Sequence, residues 1–200
     1  MQGAFKEEAR RVFDPLVEVL DRVRLRPAAV TLAGLVLAAA AGGFIASHRL
    51  RLGALCLILS ALCDILDGQL ARRQGSASLT GAFLDSCMDR LAEGAVFVGL
   101  AVYLIPGGAG WVALAVLGLI ASTMVSYARA RAEGLGLDGK VGMLERPERL
   151  VVLIVALLSG GAALRYLLVA LTLLAFWTFW IRVRHVERQV RDGVQRAGTP

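Results

Sequence analysis

Four carboxylates, Asp64, Asp67, Asp85 and Asp89, stand inside sequence that is otherwise almost continuously apolar. LGALCLILSALCDILDGQLA runs up to and past the first pair, and LTGAFLDSCMDRLAEGAVFVGLAVYLI carries the second. The chain is 57% hydrophobic with a mean hydropathy of +0.66, too apolar for an ordinary soluble domain of 200 residues. Six apolar runs occupy positions 27–47, 52–70, 79–105, 111–127, 150–161 and 162–183. Most approach the roughly 20 residues a helix needs to cross a bilayer. The fifth is short, and spans only by borrowing its flanks or with Gly160 and Gly161 in the headgroup layer. Short turns join the runs. The expected fold is therefore an all-α integral membrane protein with six transmembrane helices and no separate soluble module. A carboxylate at membrane depth is costly and persists mostly where it lines a polar cavity or does chemistry.

Residues 4–22 mix charge with Phe5, Val12, Phe13, Leu16, Val17, Val19 and Leu20. That pattern predicts an amphipathic helix lying in the membrane interface, kinked or divided at Pro15. The resulting division is a juxtamembrane segment at 1–26, a six-span domain at 27–185 and a cytosolic tail at 186–200. The first apolar run starts only at residue 27, behind charge, so no cleavable signal peptide is expected. With the N-terminus in the cytosol, eighteen Lys and Arg outside the spans lie on the cytosolic side and three, Arg49, Arg51 and Arg165, on the other. This asymmetry predicts a multi-pass cell-membrane protein whose carboxylates, 129–149 loop and C-terminal Arg cluster share the cytoplasmic face. The net charge of +6 comes from Arg, since Lys6 and Lys140 are the only lysines. A basic membrane protein meets anionic lipid and phosphate, and no nucleic-acid motif is present. Cys56, Cys63 and Cys87 form neither a disulfide framework nor a zinc pattern and read as packing residues.

On helices, Asp64 and Asp67 are three apart and Asp85 and Asp89 four apart, so each pair shares one helix face. Four converging carboxylates repel one another unless a cation neutralises them. An all-carboxylate site suits hard ions such as Mg2+ or Mn2+. Gly68 and Gly81 remove side chains where a ligand or second helix approaches, Ala71 keeps a wall shallow, and Arg72 offers a planar fork for phosphate oxygens. Ser78 can donate one further hydrogen bond. A carboxylate-bound metal pair beside an Arg is apparatus for a diphosphate.

The eight fixed positions Asp64-x2-Asp67-Gly68-x2-Ala71-Arg72-x8-Gly81-x3-Asp85-x3-Asp89 resemble the signature of the CDP-alcohol phosphotransferase family. The resemblance implies a homodimer that displaces CMP from a CDP-linked lipid, CDP-diacylglycerol or CDP-archaeol, with the hydroxyl of a second alcohol. It implies two bound ions, with Asp64, Asp67 and Asp85 as ligands. Asp89 is implied as the general base, also touching the second ion. Gly68, Arg72 and Ser78 are implied to contact the CDP group, with Ala71 and Gly81 shaping its pocket. The family's Pro-Asn-x-x-Thr element corresponds to Pro27, Ala28, Ala29, Val30 and Thr31, where Ala28 replaces the Asn and leaves backbone contacts from 27–30.

The acceptor alcohol is read from a second segment. Arg129, Arg131, Arg146 and Arg149 flank one loop, and four guanidinium groups near a catalytic centre suit a strongly anionic, phosphorylated acceptor. S-Y-x-x-A-R-A-E, starting at Ser126, and E-R-P-E-R, starting at Glu145, resemble the inositol-phosphate-using branch, the phosphatidylinositol-phosphate and archaetidylinositol-phosphate synthases. That resemblance implies acceptor-phosphate contacts from Ser126, Arg129, Arg146 and Arg149, completed by a C-terminal Arg for which Arg182 and Arg184 both qualify. Phosphatidylglycerophosphate synthases, which use glycerol 3-phosphate, typically carry a Lys-rich segment here, and this chain has only Lys140. A membrane prenyltransferase would show a second Asp-rich motif after Asp89, and none appears. A cation transporter would not need the Gly and Arg spacing. His48, His185, Trp111, Trp177, Trp180 and Tyr166 read as interfacial residues. Glu93, one turn after Asp89, reads as an interhelical hydrogen-bonding group or a supporting residue of the metal site.

Overall fold

The computed structural model describes residues 13–197, with side chains through Asp192. All regular structure among them is helical. Residues 13–22 form α1. It is followed by α2 (Pro27–Ala46), α3 (Leu50–Arg73), α4 (Leu79–Leu104), α5 (Ala109–Gly134), α6 (Arg146–Ser159) and α7 (Gly161–Ala197), with a short 3-10 turn at Ile105–Gly107. Each of the six apolar runs is thus a helix. Pro27–Ala46, Ala109–Gly134 and Gly161–Asp192 are long and apolar enough to cross a membrane. The 24 residues of α3 and 26 of α4 have the length, but charged side chains interrupt their apolar character. With 14 residues, α6 rises only about 21 Å.

The chain divides into two compact units, Met1–Val96 and Phe97–Pro200. In the first, α2 and α3 pack through small residues. A Cβ at Gly34 would sit 3.1 Å from the Cβ of Cys63, and one at Gly53 would sit 2.7 Å from Ile45 Cγ1. Close backbone approach of this kind is how apolar helices associate when water does not drive them together. Ser60 Oγ donates to the Gly34 carbonyl at 2.8 Å across the same seam. The first helix buries Val17 against Val30, Leu66 and Leu70, with Phe13 and Leu20 alongside. Leu16 and Val19 on its other side, and Val23 in the turn that follows, are exposed. Among the described residues the helix is continuous from 13 to 22, with Pro15 in its first described turn, and the residue 11 carbonyl that a proline there displaces lies outside them. The remainder of the expected amphipathic stretch, including Phe5 and Val12, lies outside the described residues.

In the second unit, Gly118 lets α5 approach Phe97 and Thr172 closely, its missing Cβ falling 2.8 Å from Phe97 Cε1. A chain at 135–145 links α5 to α6 and is strapped along α7. Thr178 fills the space over Gly142, whose φ of +108° needs a glycine. Gln189 pairs with the Asp138 peptide in both directions, accepting from its N–H at 3.0 Å and donating to its carbonyl at 2.7 Å. The stretch expected as a tail from 186 continues α7 without interruption to Ala197.

Candidate active site

The carboxylates enter from two helices. Asp64 and Asp67 lie one turn apart near the C-terminal end of α3, and Asp85 lies in the second turn of α4. Each of the three offers an oxygen, and these oxygens all lie within 4.8 Å of one another. Like charges this close repel unless a proton or a cation lies between them, and a donor set of carboxylate oxygens could hold a hard divalent ion. Asp67 is 6% exposed, and Thr31 Oγ1 donates to its Oδ2 at 2.6 Å. Thr31 belongs to the first turns of α2, where it also donates to the Pro27 carbonyl at 3.2 Å. The Pro27–Thr31 element is therefore tied to the carboxylate cluster through Asp67, a contact that the residue pattern does not announce. Asp89, one turn beyond Asp85, stands outside the three-carboxylate group, with its Oδ2 3.8 Å from the Arg90 guanidinium.

The glycines of the motif are not required by helix packing here. A Cβ at Gly68 would meet only the Arg72 guanidinium, at 3.5 Å, so Arg72 lies back over the bare turn. Ser78 precedes α4 and accepts the Gly81 N–H at 3.1 Å, capping the helix that carries Asp85 and Asp89. Its hydroxyl proton stays available for donation. Arg72 and Ser78 are exposed, and Ala71 is half-buried.

The residues expected to contact the acceptor all belong to the second unit. Arg149 is 1% exposed and donates from NH2 to Ser126 Oγ at 3.1 Å and from NH1 to the Leu144 carbonyl at 3.2 Å. Arg182 is 2% exposed. It donates to the carbonyl of Val125, the residue before Ser126, at 2.6 Å and to the Val141 carbonyl at 2.8 Å. Of the two C-terminal candidates, Arg182 is thus the one beside Ser126 and Arg149. Arg184 faces elsewhere and stacks on Trp180 at 4.9 Å. Arg129 pairs with Glu133 at 3.0 Å and approaches Glu145 at 3.8 Å. Arg146 opens α6 three residues before Arg149. Sequence reasoning missed Gln189 and the two glutamates. The only signal for Gln189 was a polar side chain on the helix extension facing the loop.

Helices of membrane-crossing length with three convergent carboxylates in apolar sequence define a membrane-associated protein with a group that could hold a metal ion. The chain belongs to the CDP-alcohol phosphatidyltransferase family, whose sequence model matches residues 24–185. It is 39% identical over 160 residues to the archaetidylinositol phosphate synthase of Methanothermobacter thermautotrophicus, covering 80% of this chain and 78% of that one. It is 38% identical over 172 residues to the phosphatidylinositol phosphate synthase of Mycobacteroides abscessus, covering 83% and 78%. Among solved structures, the phosphatidylinositol phosphate synthase of Mycobacterium tuberculosis with CDP-DAG bound superposes with a TM-score of 0.80. The identity is 32%, and the match covers 88% of this chain and 94% of that chain. The same enzyme in complex with manganese and citrate gives a TM-score of 0.79, again at 32% identity, over 86% and 87%. The family and enzyme class read from the eight-residue motif are borne out.

Proposed function

We propose that this enzyme transfers the phosphatidyl or archaetidyl group of a CDP-linked lipid to inositol phosphate and releases CMP. The observation that carries the acceptor is a pair of buried guanidinium groups beside the half-buried Ser126: Arg149 donates to its hydroxyl and Arg182 to the carbonyl of the preceding Val125. Its agreement with relatives named for inositol phosphate products supports the same acceptor.

Asp64, Asp67 and Asp85 would hold a divalent ion, Mg2+ or Mn2+, and Asp89 would join them at a second. A bound ion there neutralises the carboxylates and the diphosphate and stabilises charge on the leaving phosphate. The chain's own groups do the rest. Pro27–Thr31, Gly68, Ala71, Arg72, Ser78 and Gly81 bind and orient the CDP group, and Thr31 fixes the Asp67 carboxylate. Ser126, Arg129, Arg146, Arg149 and Arg182 bind the acceptor's phosphate. Asp89 accepts the acceptor's hydroxyl proton as that oxygen attacks the lipid-side phosphorus. The bond from that phosphorus to CMP breaks, and CMP leaves with the electron pair. The enzyme is read as six-span and homodimeric in the cell membrane, with 1–26 as the juxtamembrane segment, 27–185 as the catalytic domain and 186–200 beyond the bilayer on the cytoplasmic side.

The test is CMP release from CDP-diacylglycerol and CDP-archaeol with inositol phosphate, free inositol and glycerol 3-phosphate. Turnover with inositol phosphate is expected, and Arg149→Ala should raise its KM roughly ten- to a hundredfold while leaving KM for the CDP-lipid near wild type. Ready use of glycerol 3-phosphate without inositol phosphate would replace the acceptor assignment and leave the family unchanged.

A further inference from the structure

Beyond the transfer site, the second unit carries a groove of about 470 Å³ between the 135–145 segment and the outer side of α7. Its apolar end is made by Val141, Trp177 and Trp180, and its cationic end by Arg184, His185 and Arg188. Trp177 is 60% exposed and Trp180 50% exposed. The residues follow one another along α7 at three- and four-residue steps, so they form a single stripe that changes from aromatic to cationic over about 16 Å. Arg182, two positions before Arg184 and so on the opposite side of the helix, points inward and belongs to the acceptor residues. Arg184 lies over the Trp180 ring, its guanidinium 4.9 Å from the centroid. Stacking fixes the guanidinium plane and leaves its N–H edge to face a ligand. Among the described residues, neither Arg184 nor Arg188 forms an ion pair. Two uncompensated arginines beside exposed tryptophans, at the end of a membrane-length helix, match the chemistry of one molecule type: a lipid with a negatively charged phosphodiester above apolar chains.

We propose that this groove is a binding site for an anionic membrane phospholipid distinct from the CDP-lipid substrate. Arg184 and Arg188 hold its phosphate, and Trp177 and Trp180 take its glycerol backbone and upper chains. The lipid covers the outer face of the same α7 segment whose inner face supplies Arg182, so it braces the helix at the level of the acceptor residues.

The test measures lipid occupancy rather than turnover, so it stands or falls separately from the acceptor assignment. Full-length enzyme in neutral detergent, with excess CDP-diacylglycerol occupying the transfer site, is titrated with phosphatidylglycerol or phosphatidylcholine of the same chains, and with inorganic phosphate. Bound lipid is counted by native mass spectrometry. The expected result is one retained phosphatidylglycerol per chain in preference to phosphatidylcholine, with affinity falling about tenfold in the Arg184→Ala/Arg188→Ala double variant. Trp180→Leu, which keeps an apolar wall but removes the stacking surface, should lower it about threefold. KM for inositol phosphate should stay near wild type in both variants and in Arg184→Ala alone. Unchanged phosphatidylglycerol binding in the double variant would overturn the proposal. So would binding of inorganic phosphate as tight as that of the lipid. A large rise in acceptor KM for Arg184→Ala would overturn it too, by moving that residue to the acceptor pocket.

Discussion

At the residue scale the site depends on charge that cannot be spread into water. Three carboxylate oxygens within 4.8 Å could hold a divalent cation, and amidating any one would remove both a ligand and a charge. Asp64→Asn, Asp67→Asn and Asp85→Asn are each expected to lower turnover by orders of magnitude, with divalent-ion binding by calorimetry weakened in parallel and helix content unchanged. Thr31→Val keeps the shape of the side chain but deletes the 2.6 Å hydrogen bond to Asp67. Loss of a partner that orients a metal-binding group typically costs ten- to a hundredfold, so ion affinity should fall by about tenfold. Wild-type affinity in that variant would show that Thr31 serves the nucleotide alone. Asp89 stands outside the three-carboxylate group, as a base that also reaches a second ion would. Asp89→Asn should hold CDP-lipid affinity near wild type and abolish turnover, because a base acts mainly in the transition state. A substantial kcat with an unchanged pH profile would remove Asp89 from that role.

At the element scale the residues proposed to bind the acceptor sit on α5, α6 and α7, and the segment between α5 and α6 must be held against α7 for them to stay together. Three contacts do so: Thr178 over Gly142, Arg182 on the Val141 carbonyl, and Gln189 on the Asp138 peptide. The last lies beyond the expected span, so the helix extension works as a splint. Gln189→Ala removes both hydrogen bonds, a loss of about 1–2 kcal/mol shared between the loop and its pocket. KM for inositol phosphate should rise about fivefold with KM for the CDP-lipid unchanged. Gln189→Glu, which still accepts the Asp138 N–H but cannot donate to its carbonyl, should recover part of the loss. Equal KM values in all three proteins would reduce the splint to a passive extension. In the first unit the comparable element is Gly42 on α2, where an added Cβ would fall 2.3 Å from the Ala95 carbonyl oxygen of α4. The clash is with backbone, so it cannot be relieved by turning a side chain.

At the scale of the whole molecule, orientation follows from charge. Eighteen basic residues against three predict the turn at 47–49 and the start of α3 outside and the end of α7 inside. In a background with all three cysteines replaced by Ala, Arg51→Cys should react with an impermeant maleimide only from the outer face of intact cells. Glu187→Cys should react only in inside-out vesicles. Labelling of both from one side would refute the six-span topology.

Much of this protein was legible in its residues. Each of the six apolar runs became a helix, because a helix satisfies its own backbone and its apolar length is a local property, although α5 and α7 run 7 and 14 residues past the expected ends at 127 and 183. The motif located Asp64, Asp67 and Asp85, because helical spacing alone sets which carboxylates share a face. Local spacing could not choose between Arg182 and Arg184. The two point to opposite sides of α7, and only the packing of that helix decides which side is inside. Nor could it show that Thr31 serves Asp67, 36 residues away, or that Gln189 grips Asp138, 51 residues away. Such contacts are written in how helices approach one another, and the small residues that permit the approach do not name their partners. The sequence by itself determined which helices form and which chemistry they carry. The tertiary structure decided which arginine turns inward and what holds each catalytic side chain still.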